Sequence, residues 1–347
     1  MYTKIVGGRI LIIGDLHFSD VYTGRHKNYL ANCFSVLGDI RDTVATLKPS
    51  VVVFLGDIVG QNEGNVKNRE VLSQLCQFFT DLKKTSRVFC VRGNHDFNGS
   101  FPEFQFLSNL GFFETASTCD GFFDYYGEES QEIPEVRFHL VDYGAESKPL
   151  NLKEGGTSNI ILAHNNFVIQ GMTNWYSAKG GIELAGMSNF CGADMVISGH
   201  IHNPSPQIVQ TEMTGGGSLM LFYPGCPTRP TLDSGIYESC WYVEFAYDKD
   251  KKETTYGAIP FKLASVEDTF YNSDDFVEER TEEELYDMER KQALHEVLNN
   301  MMNSRMSSID LISQVYAVPT ASDEAKKLAA SYLQVALDSQ SHGVDSN

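Results

Sequence analysis

Residues 9–17 read RILIIGDLH, an apolar run that ends directly before an Asp-x-His pair, Asp15 and His17. Four more apolar runs end in the same way: VVVFL before Gly56-Asp57, VFCVR before Gly93-Asn94-His95-Asp96, NIILA before His164, and MVIS before Gly199-His200-Ile201-His202. Runs of this length, rich in β-branched residues, predict buried β-strands. Each polar group therefore lies at the C-terminal end of a predicted strand.

Helical patterns alternate with these strands at residues 28–47, 67–83, 102–110 and 182–190. Further strands are predicted at residues 136–142, 208–211, 219–223, 241–247 and 255–261. Strand, helix, strand at this spacing indicates βαβ units early in the chain, and the close succession of the later strands indicates hairpins. The fold class that follows is α/β, with sheets sandwiched between helices in a layered α/β/β/α arrangement.

The composition changes after Leu263, and this change predicts the domain organisation. Residues 1–263 are predicted to form the α/β domain. Residues 264–284 hold many acidic and few aliphatic side chains, which predicts a solvated linker. Residues 285–347 are predicted to form a small C-terminal helical tail, whose last helix has an apolar face at Leu328, Tyr332 and Leu333.

The formal net charge of −19 counts against tight DNA binding by the chain alone, because neutralisation of phosphate by Lys and Arg dominates such affinity. Bound divalent cations or a basic partner can reverse the local field. The seven cysteines are scattered without CxxC spacing, which favours thiols in a reducing cytosol. The N-terminal apolar run is too short to span a membrane and lacks a signal-peptide cleavage site, so we expect a cytoplasmic protein with no membrane partner.

The polar groups are expected to form one site, because the C-terminal ends of strands in an open α/β sheet meet at one crevice. Asp15 and His17 are two residues apart, so they point the same way and can bind one cation together. His200 and His202 have the same spacing, and the carboxylate of Asp57 can bridge two cations. The predicted ligands are Asp15, His17, Asp57, Asn94, His164, His200 and His202.

This ligand set predicts two divalent ions ~4 Å apart that clamp a phosphate and activate a water between them. His95 is adjacent to a ligand but need not be one, and Asp96 could hold its imidazole in the protonated, donating form. A lone Gly-Asp or Asp-x-His is most often a turn or a surface pair. Five such motifs, each at a strand end, favour the catalytic interpretation.

With these motifs the chain resembles the calcineurin-like metallophosphoesterases, whose motif order is D-x-H, G-D, G-N-H-[DE], H and G-H-x-H. The resemblance covers residues 9–261 and implies one metal held by Asp15, His17, Asp57 and His202. It implies a second metal held by Asp57, Asn94, His164 and His200. In that pattern His95 is the general acid or a stabiliser of the transition state, and Asp96 is its orienting partner.

Within this superfamily the chain is similar to the SbcD-type nuclease subunits of DNA repair and phage recombination complexes. The stretch LAHNN around His164, the turn YPGCPTRPT at residues 223–231 and the C-terminal helices carry this likeness. The resemblance implies a two-metal DNA nuclease, manganese as the metal, and an SMC-like ATPase partner bound through the C-terminal helices. It leaves open a homodimer and, if the chain is viral, the host cytoplasm as the location.

The sequence departs from the nuclease pattern in two places. Residues 264–284 stand where such nucleases carry a capping domain, so this segment is a linker or a reduced cap. Arg92 precedes Gly-Asn-His as in the phosphoprotein phosphatases, where that Arg contacts phosphate, and Arg229 is a second candidate substrate contact. The alternatives are therefore a stand-alone phosphodiesterase or protein phosphatase and, less favoured, a non-catalytic scaffold.

Overall fold

A computed structural model describes residues 3–19, 28–60, 69–97, 103–126, 134–153, 157–169, 181–204, 208–228, 240–248 and 253–261. Only the backbone is described for residues 69, 97, 103, 242–248 and 253–261. The chain divides into two units, Met1–Val277 and Glu278–Asn347, and all described residues belong to the first. The predicted acidic linker at residues 264–284 and the predicted helical tail at residues 285–347 lie outside the described residues.

Two large sheets form within the described part of the chain. The strands of the first sheet are β2 (Ile10–Ile13), β3 (Val51–Phe54), β4 (Arg87–Cys90), β13 (Cys240–Asp248) and β14 (Glu253–Phe261). The strands of the second are β1 (Thr3–Val6), β5 (Phe122–Tyr126), β6 (Val136–Val141), β7 (Ser158–His164), β10 (Met195–Gly199), β11 (Val209–Glu212) and β12 (Ser218–Phe222). The strand order is β14-β13-β2-β3-β4 in the first sheet and β1-β5-β6-β7-β10-β12-β11 in the second.

Helices α1 (Tyr29–Leu47), α2 (Arg69–Leu82) and α3 (Glu103–Asn109) cover the outer face of the first sheet. The buried residues of α1 recur at the helical spacing Cys33, Val36, Ile40 and Val44, which gives the helix one apolar face. They pack with Leu11, Ile13, Val52 and Phe54, the alternate residues of β2 and β3. This layer forms where the sequence analysis predicts helices.

The other faces of β2 and β3 pack against the second sheet. Ile10 and Ile12 lie in the same buried cluster as residues of β5, β6 and β7. Phe123 stacks between Phe89 and Phe138, with ring centroids 4.2 and 4.9 Å apart. Because β2 and β3 are buried on both faces, they read as continuous apolar runs rather than alternating ones.

The outer face of the second sheet differs from the sequence analysis. A helix is predicted at residues 182–190, but the chain there forms β9 (Ile182–Glu183), which pairs with β8 (Phe167–Val168), and two 3-10 turns, Leu184–Gly186 and Ser188–Phe190. Gly186, Ser188 and Asn189 are poor helix formers, and the pairing of β9 fixes the segment in an extended start. Strands β1 and β5 were also not predicted from the sequence. The α/β sandwich itself is confirmed.

Among the helices within the described residues, none combines the length and apolar character needed to cross a bilayer.

Candidate metal centre

The predicted site residues meet where the two sheets present the C-terminal ends of their parallel strands. Strands β2, β3 and β4 are mutually parallel, as are β6, β7, β10 and β12. His164 is the last residue of β7, and its Nδ1 donates to the backbone oxygen of Leu55, just after β3, at 2.7 Å. The backbone N–H of His200, just after β10, donates to Asp15 at 2.9 Å. The ligands thus connect both sheets.

Two groups of ligand atoms form at this place. The first ligand group is Asp15, His17 and His202, the second is Asp57, His164 and His200, and within each group the ligand atoms lie within 4.8 Å of one another. Each group has two buried side chains and one partly exposed histidine. The two partly exposed histidines come from one segment, residues 200–202.

Asn94 and Asp57 extend the second group. The Asn94 side-chain oxygen lies 3.0 Å from Nε2 of His164 and 2.9 Å from Nδ1 of His200. One oxygen of Asp57 lies 3.2 Å from Nε2 of His164 and 3.6 Å from Nε2 of His17. The Asp57 carboxylate therefore lies between the two groups, where a bridging ligand is needed.

The donor set fits a pair of divalent cations. Nε2 of His17 lies 2.9 Å from Nε2 of His202, so two like nitrogens converge. His164 donates through Nδ1, which leaves Nε2 pointing at the Asn94 oxygen. Two acceptor atoms at such distances require a proton or a cation between them. A histidine ligand whose other nitrogen donates to a backbone carbonyl is the usual arrangement at a metal.

Three of the ligands adopt a backbone conformation that side chains rarely take. The φ angles of His17, Asp57 and His200 are 47°, 45° and 77°, in the left-handed region. Such residues cost roughly 1–3 kcal/mol each and persist where the surroundings fix them, commonly at functional sites. Here the backbone N–H of His17 donates to the backbone oxygen of Asp57 at 2.8 Å, which couples two of the three.

Gly93 and Gly199 allow the carboxylates to approach the backbone. A Cβ at Gly93 would overlap the carboxylate of Asp57, and a Cβ at Gly199 would overlap that of Asp15. Any side chain at either position would displace a ligand. Glycine at these two motif positions therefore permits the close contact between carboxylate and backbone.

The buried charges change the pKa values of the ligands. The pKa of Asp15 rises to about 8 because of burial, with repulsion from Asp57 adding to it. Burial opposes the charged form of His164, yet the carboxylates of Asp57 and Asp15 raise its pKa to about 10. Burial likewise acts against the Asp57 carboxylate, but His164 and His17 hold its pKa below the usual range. Burial and the neighbouring His164 lower the pKa of His200 to about 4. A proton on His164 thus offsets the negative charge that a cation would neutralise.

His95 and Asp96 lie beside the ligands. The backbone N–H of His95 donates to Asp57 at 2.9 Å, and its Nε2 lies 3.9 Å from the same carboxylate, with 22% of the side chain exposed. The Asp96 carboxylate accepts from the backbone N–H groups of Ile58 at 3.1 Å and Gly93 at 2.9 Å. Asp96 therefore ties two ligand loops together. Its predicted role in orienting the His95 imidazole stays a prediction.

Of the two predicted substrate contacts, Arg92 lies within the described residues. The Arg92 guanidinium carbon lies 5.8 Å from the ring centroid of Phe104, and the backbone N–H of Arg92 donates to Asp142 at 2.9 Å. Contact between Arg92 and phosphate stays a prediction. Arg229 lies outside the described residues.

Residues 226–228 have a supporting role that was not predicted from the sequence. Here the Cys226 thiol donates to the backbone oxygen of Asp15 at 2.8 Å, and the Thr228 hydroxyl donates to that of Leu16 at 2.7 Å. Tyr29, at the start of α1, donates through its hydroxyl to the backbone oxygen of His17 at 2.7 Å. The Pro-Gly-Cys-Pro turn was the available signal for the first two contacts. The role of Tyr29 had no such signal.

The chain was compared with solved structures and with curated proteins. Solved structures that match include a dimetal phosphatase from Danio rerio (17% identity, 62% of this chain and 86% of that chain, TM-score 0.37). The protein TT1561 of Thermus thermophilus matches at 11% identity, covering 72% of this chain and 98% of that chain with a TM-score of 0.38. YfcE, a phosphoesterase from E. coli, matches at 13% identity, covering 73% and 100% with a TM-score of 0.32. Curated proteins gave no significant match.

The family model for calcineurin-like phosphoesterases matches residues 8–204, which is more than half of the chain and includes all seven predicted ligands. The two ligand groups found in the structure fall within this match. The chain is thus a metal-dependent phosphoesterase and belongs to the calcineurin-like phosphoesterase family.

Proposed function

We propose that this phosphoesterase is a two-metal DNA nuclease that hydrolyses phosphodiester bonds as the nuclease subunit of an SbcCD-like complex with an SMC-like ATPase. The observation that carries the chemistry is the Asp57 carboxylate, which lies between the two ligand groups. The observation that favours DNA is the likeness of residues 223–231 to a turn of SbcD-type nucleases. Cys226 of this turn contacts the ligand Asp15.

The residues of this chain divide the work between binding and proton transfer. When bound, two divalent cations stabilise charge on the phosphate and activate water. Asp57 lies between the two ligand groups, and His200 and His202 are the partly exposed ligand of each group. His95 is also partly exposed and lies next to Asp57, where its imidazole gives a proton to the departing oxygen.

Manganese is the proposed metal, and the cytoplasm is the proposed location. The oxygen donors of Asp15, Asp57 and Asn94 suit manganese. A chain with a formal net charge of −19 gains little DNA affinity from its own surface, so the partner ATPase supplies the basic surface. The C-terminal helices predicted at residues 285–347 are the proposed contact with that partner.

A stand-alone phosphodiesterase or phosphatase is the second candidate. The formal net charge of −19 favours it, because a small phosphoester needs no basic DNA-binding face. The two candidates differ in substrate but share the metal centre.

The test is hydrolysis of linear DNA, bis(p-nitrophenyl) phosphate and p-nitrophenyl phosphate with manganese, in the presence and absence of the SMC-like ATPase. We expect metal-dependent cleavage of DNA that a chelator stops and the ATPase stimulates. Hydrolysis of the p-nitrophenyl esters without DNA cleavage, even with the ATPase, would contradict the nuclease and leave the second candidate.

The partner contact is tested by a pull-down with the ATPase. A chain that ends at Asn300 lacks the last predicted helices and is expected to lose binding while it keeps metal-dependent hydrolysis of bis(p-nitrophenyl) phosphate. Retained ATPase binding by the shortened chain would refute the role of these helices.

A further inference from the structure

A tyrosine outside every motif lies beside the second ligand group. Tyr143 follows β6, and 39% of its surface is exposed. Its ring centroid lies 6.0 Å from that of His200, with 30° between the planes, and 6.3 Å from that of His164. An exposed aromatic face therefore borders two predicted metal ligands.

Hydrogen bonds fix the backbone that carries this ring. The backbone N–H of Tyr143 donates to the backbone oxygen of Arg92 at 2.8 Å, which joins the loop to the end of β4. The next N–H, of Gly144, donates to the Glu146 carboxylate at 2.7 Å. The side chain of Asn165, the residue after His164, donates to the same carboxylate. The ring is thus placed by the same strand ends that place the ligands.

Two further hydrogen bonds hold the far side of the loop. The Asn189 side chain donates to the backbone oxygens of Glu146 at 2.5 Å and Lys148 at 3.0 Å. Asn189 lies in the 3-10 turn Ser188–Phe190, where the sequence analysis predicts helix. The 3-10 turn that forms in place of the predicted helix therefore carries the side chain that supports the loop.

We propose that Tyr143 determines substrate specificity by stacking on an aromatic substituent of the phosphoester, which in the proposed nuclease is a nucleobase. This inference rests on the proposed function and deepens it. A phosphate bound at the second ligand group leaves its ester substituent to extend over the neighbouring surface, and the Tyr143 ring forms that surface next to His200. Stacking of one base on an aromatic side chain contributes a factor of roughly 5 to 150 in affinity.

Binding of thymidine 5′-phosphate and of inorganic phosphate to the manganese-loaded full-length protein, measured by titration calorimetry, tests the proposal. Both probes carry the phosphate, but only the nucleotide carries a base. We expect Tyr143→Ala to raise the Kd of the nucleotide about tenfold or more and to leave the Kd of phosphate within about twofold. Tyr143→Phe keeps the ring and is expected to match the wild type. Ile208→Ala, at another exposed apolar side chain, is the control and should change neither Kd.

Two results would overturn the proposal. An unchanged nucleotide Kd in Tyr143→Ala would show that the ring makes no contact with the base. Equal weakening of nucleotide and phosphate would show that the ring only supports His200. Failure of the nuclease proposal is a separate result, because a protein that leaves DNA intact but hydrolyses bis(p-nitrophenyl) phosphate still gives both binding constants.

Discussion

Within the described residues, two buried polar clusters differ in how their charges are balanced. The structural cluster, in β5 and β6, contains Arg137, whose guanidinium donates to both oxygens of Asp124 at 2.7 and 2.8 Å and to the backbone oxygen of Asn151 at 2.9 Å. In the metal centre two carboxylates and several histidine nitrogens converge instead. The charges of Arg137 and Asp124 balance each other in the first cluster, whereas the ligands of the second fit a pair of cations. Burial of polar groups alone therefore does not mark a functional site.

The histidines of the two clusters show the same contrast. His139 contacts Asn159 at 3.3 Å, and burial lowers its pKa to about 4, so it is neutral in the folded protein. His164 is also buried, but the two carboxylates raise its pKa to about 10. At a buried histidine beside two carboxylates, a bound cation can replace the proton that balances their charge.

The largest effect is expected from Asp57→Asn, because this carboxylate lies between both ligand groups. Activity should fall to the level seen without added metal, and the variant should lose at least one bound cation per chain. Metal content and hydrolysis of bis(p-nitrophenyl) phosphate are the measurements. Asp194→Asn, at the opposite end of β10 from His200, is the matched control and should keep both cations and the activity. Full activity of Asp57→Asn would remove the bridging role.

His95→Ala should lower the rate of hydrolysis by roughly 10²- to 10⁴-fold, the usual loss for a general acid. Since His95 is not a ligand in this account, the variant should still bind two cations. Steady-state kinetics and metal analysis of the same preparation separate the two effects. A rate equal to that of the wild type would rule out His95 as proton donor, and loss of a cation would make it a ligand.

Asp124→Asn should act on stability rather than on catalysis. It leaves the Arg137 charge buried without its carboxylate partner, which costs roughly 3–5 kcal/mol of unfolding free energy. Denaturant unfolding monitors this loss, and metal content should stay at two cations per chain. Unchanged stability together with lost metal would show that the Asp124–Arg137 pair supports metal binding and not stability.

The smallest predicted effect is the pH dependence due to His139. Its pKa is about 4 in the folded protein against 6.5 as the ordinary value. Between these values the unfolded chain binds the extra proton, so the stability of the wild type falls as the pH falls through this window. The total loss of unfolding free energy across this window is on the order of 3 kcal/mol. Unfolding of the wild type and His139→Gln at several pH values measures the difference, and identical pH dependence of the two would contradict it.

The sequence predicted the metal centre better than its surroundings, for a physical reason. The position of a ligand at the end of an apolar run can be predicted once the strand is recognised. Strands β2, β3, β4, β7 and β10 are short apolar runs of this kind. The structural cluster could not be predicted in this way. Asp124 and Arg137 face each other because of the register of β5 and β6, and a shift of one residue would have separated them.

Local sequence patterns also predicted the wrong secondary structure where tertiary contacts determine the conformation. Residues 182–190 have apolar residues at helical spacing, yet the backbone N–H of Ile182 donates to Asn166 at 2.8 Å and the segment begins as a strand. The hydrogen bonds that the Asp96 carboxylate accepts from Ile58 and Gly93 also have no signal in the sequence, and its orienting role toward His95 stays a prediction. Such contacts depend on how loops from different strands pack, which spacing along the chain does not encode.

The most direct test of the account is the number of manganese ions bound per chain, measured by mass spectrometry of the metal after loading and desalting. We expect two ions in the wild type, two in Asp124→Asn, and fewer than two in Asp57→Asn. One ion or none in the wild type, or two ions retained by Asp57→Asn, would contradict the assignment of two ligand groups joined by Asp57.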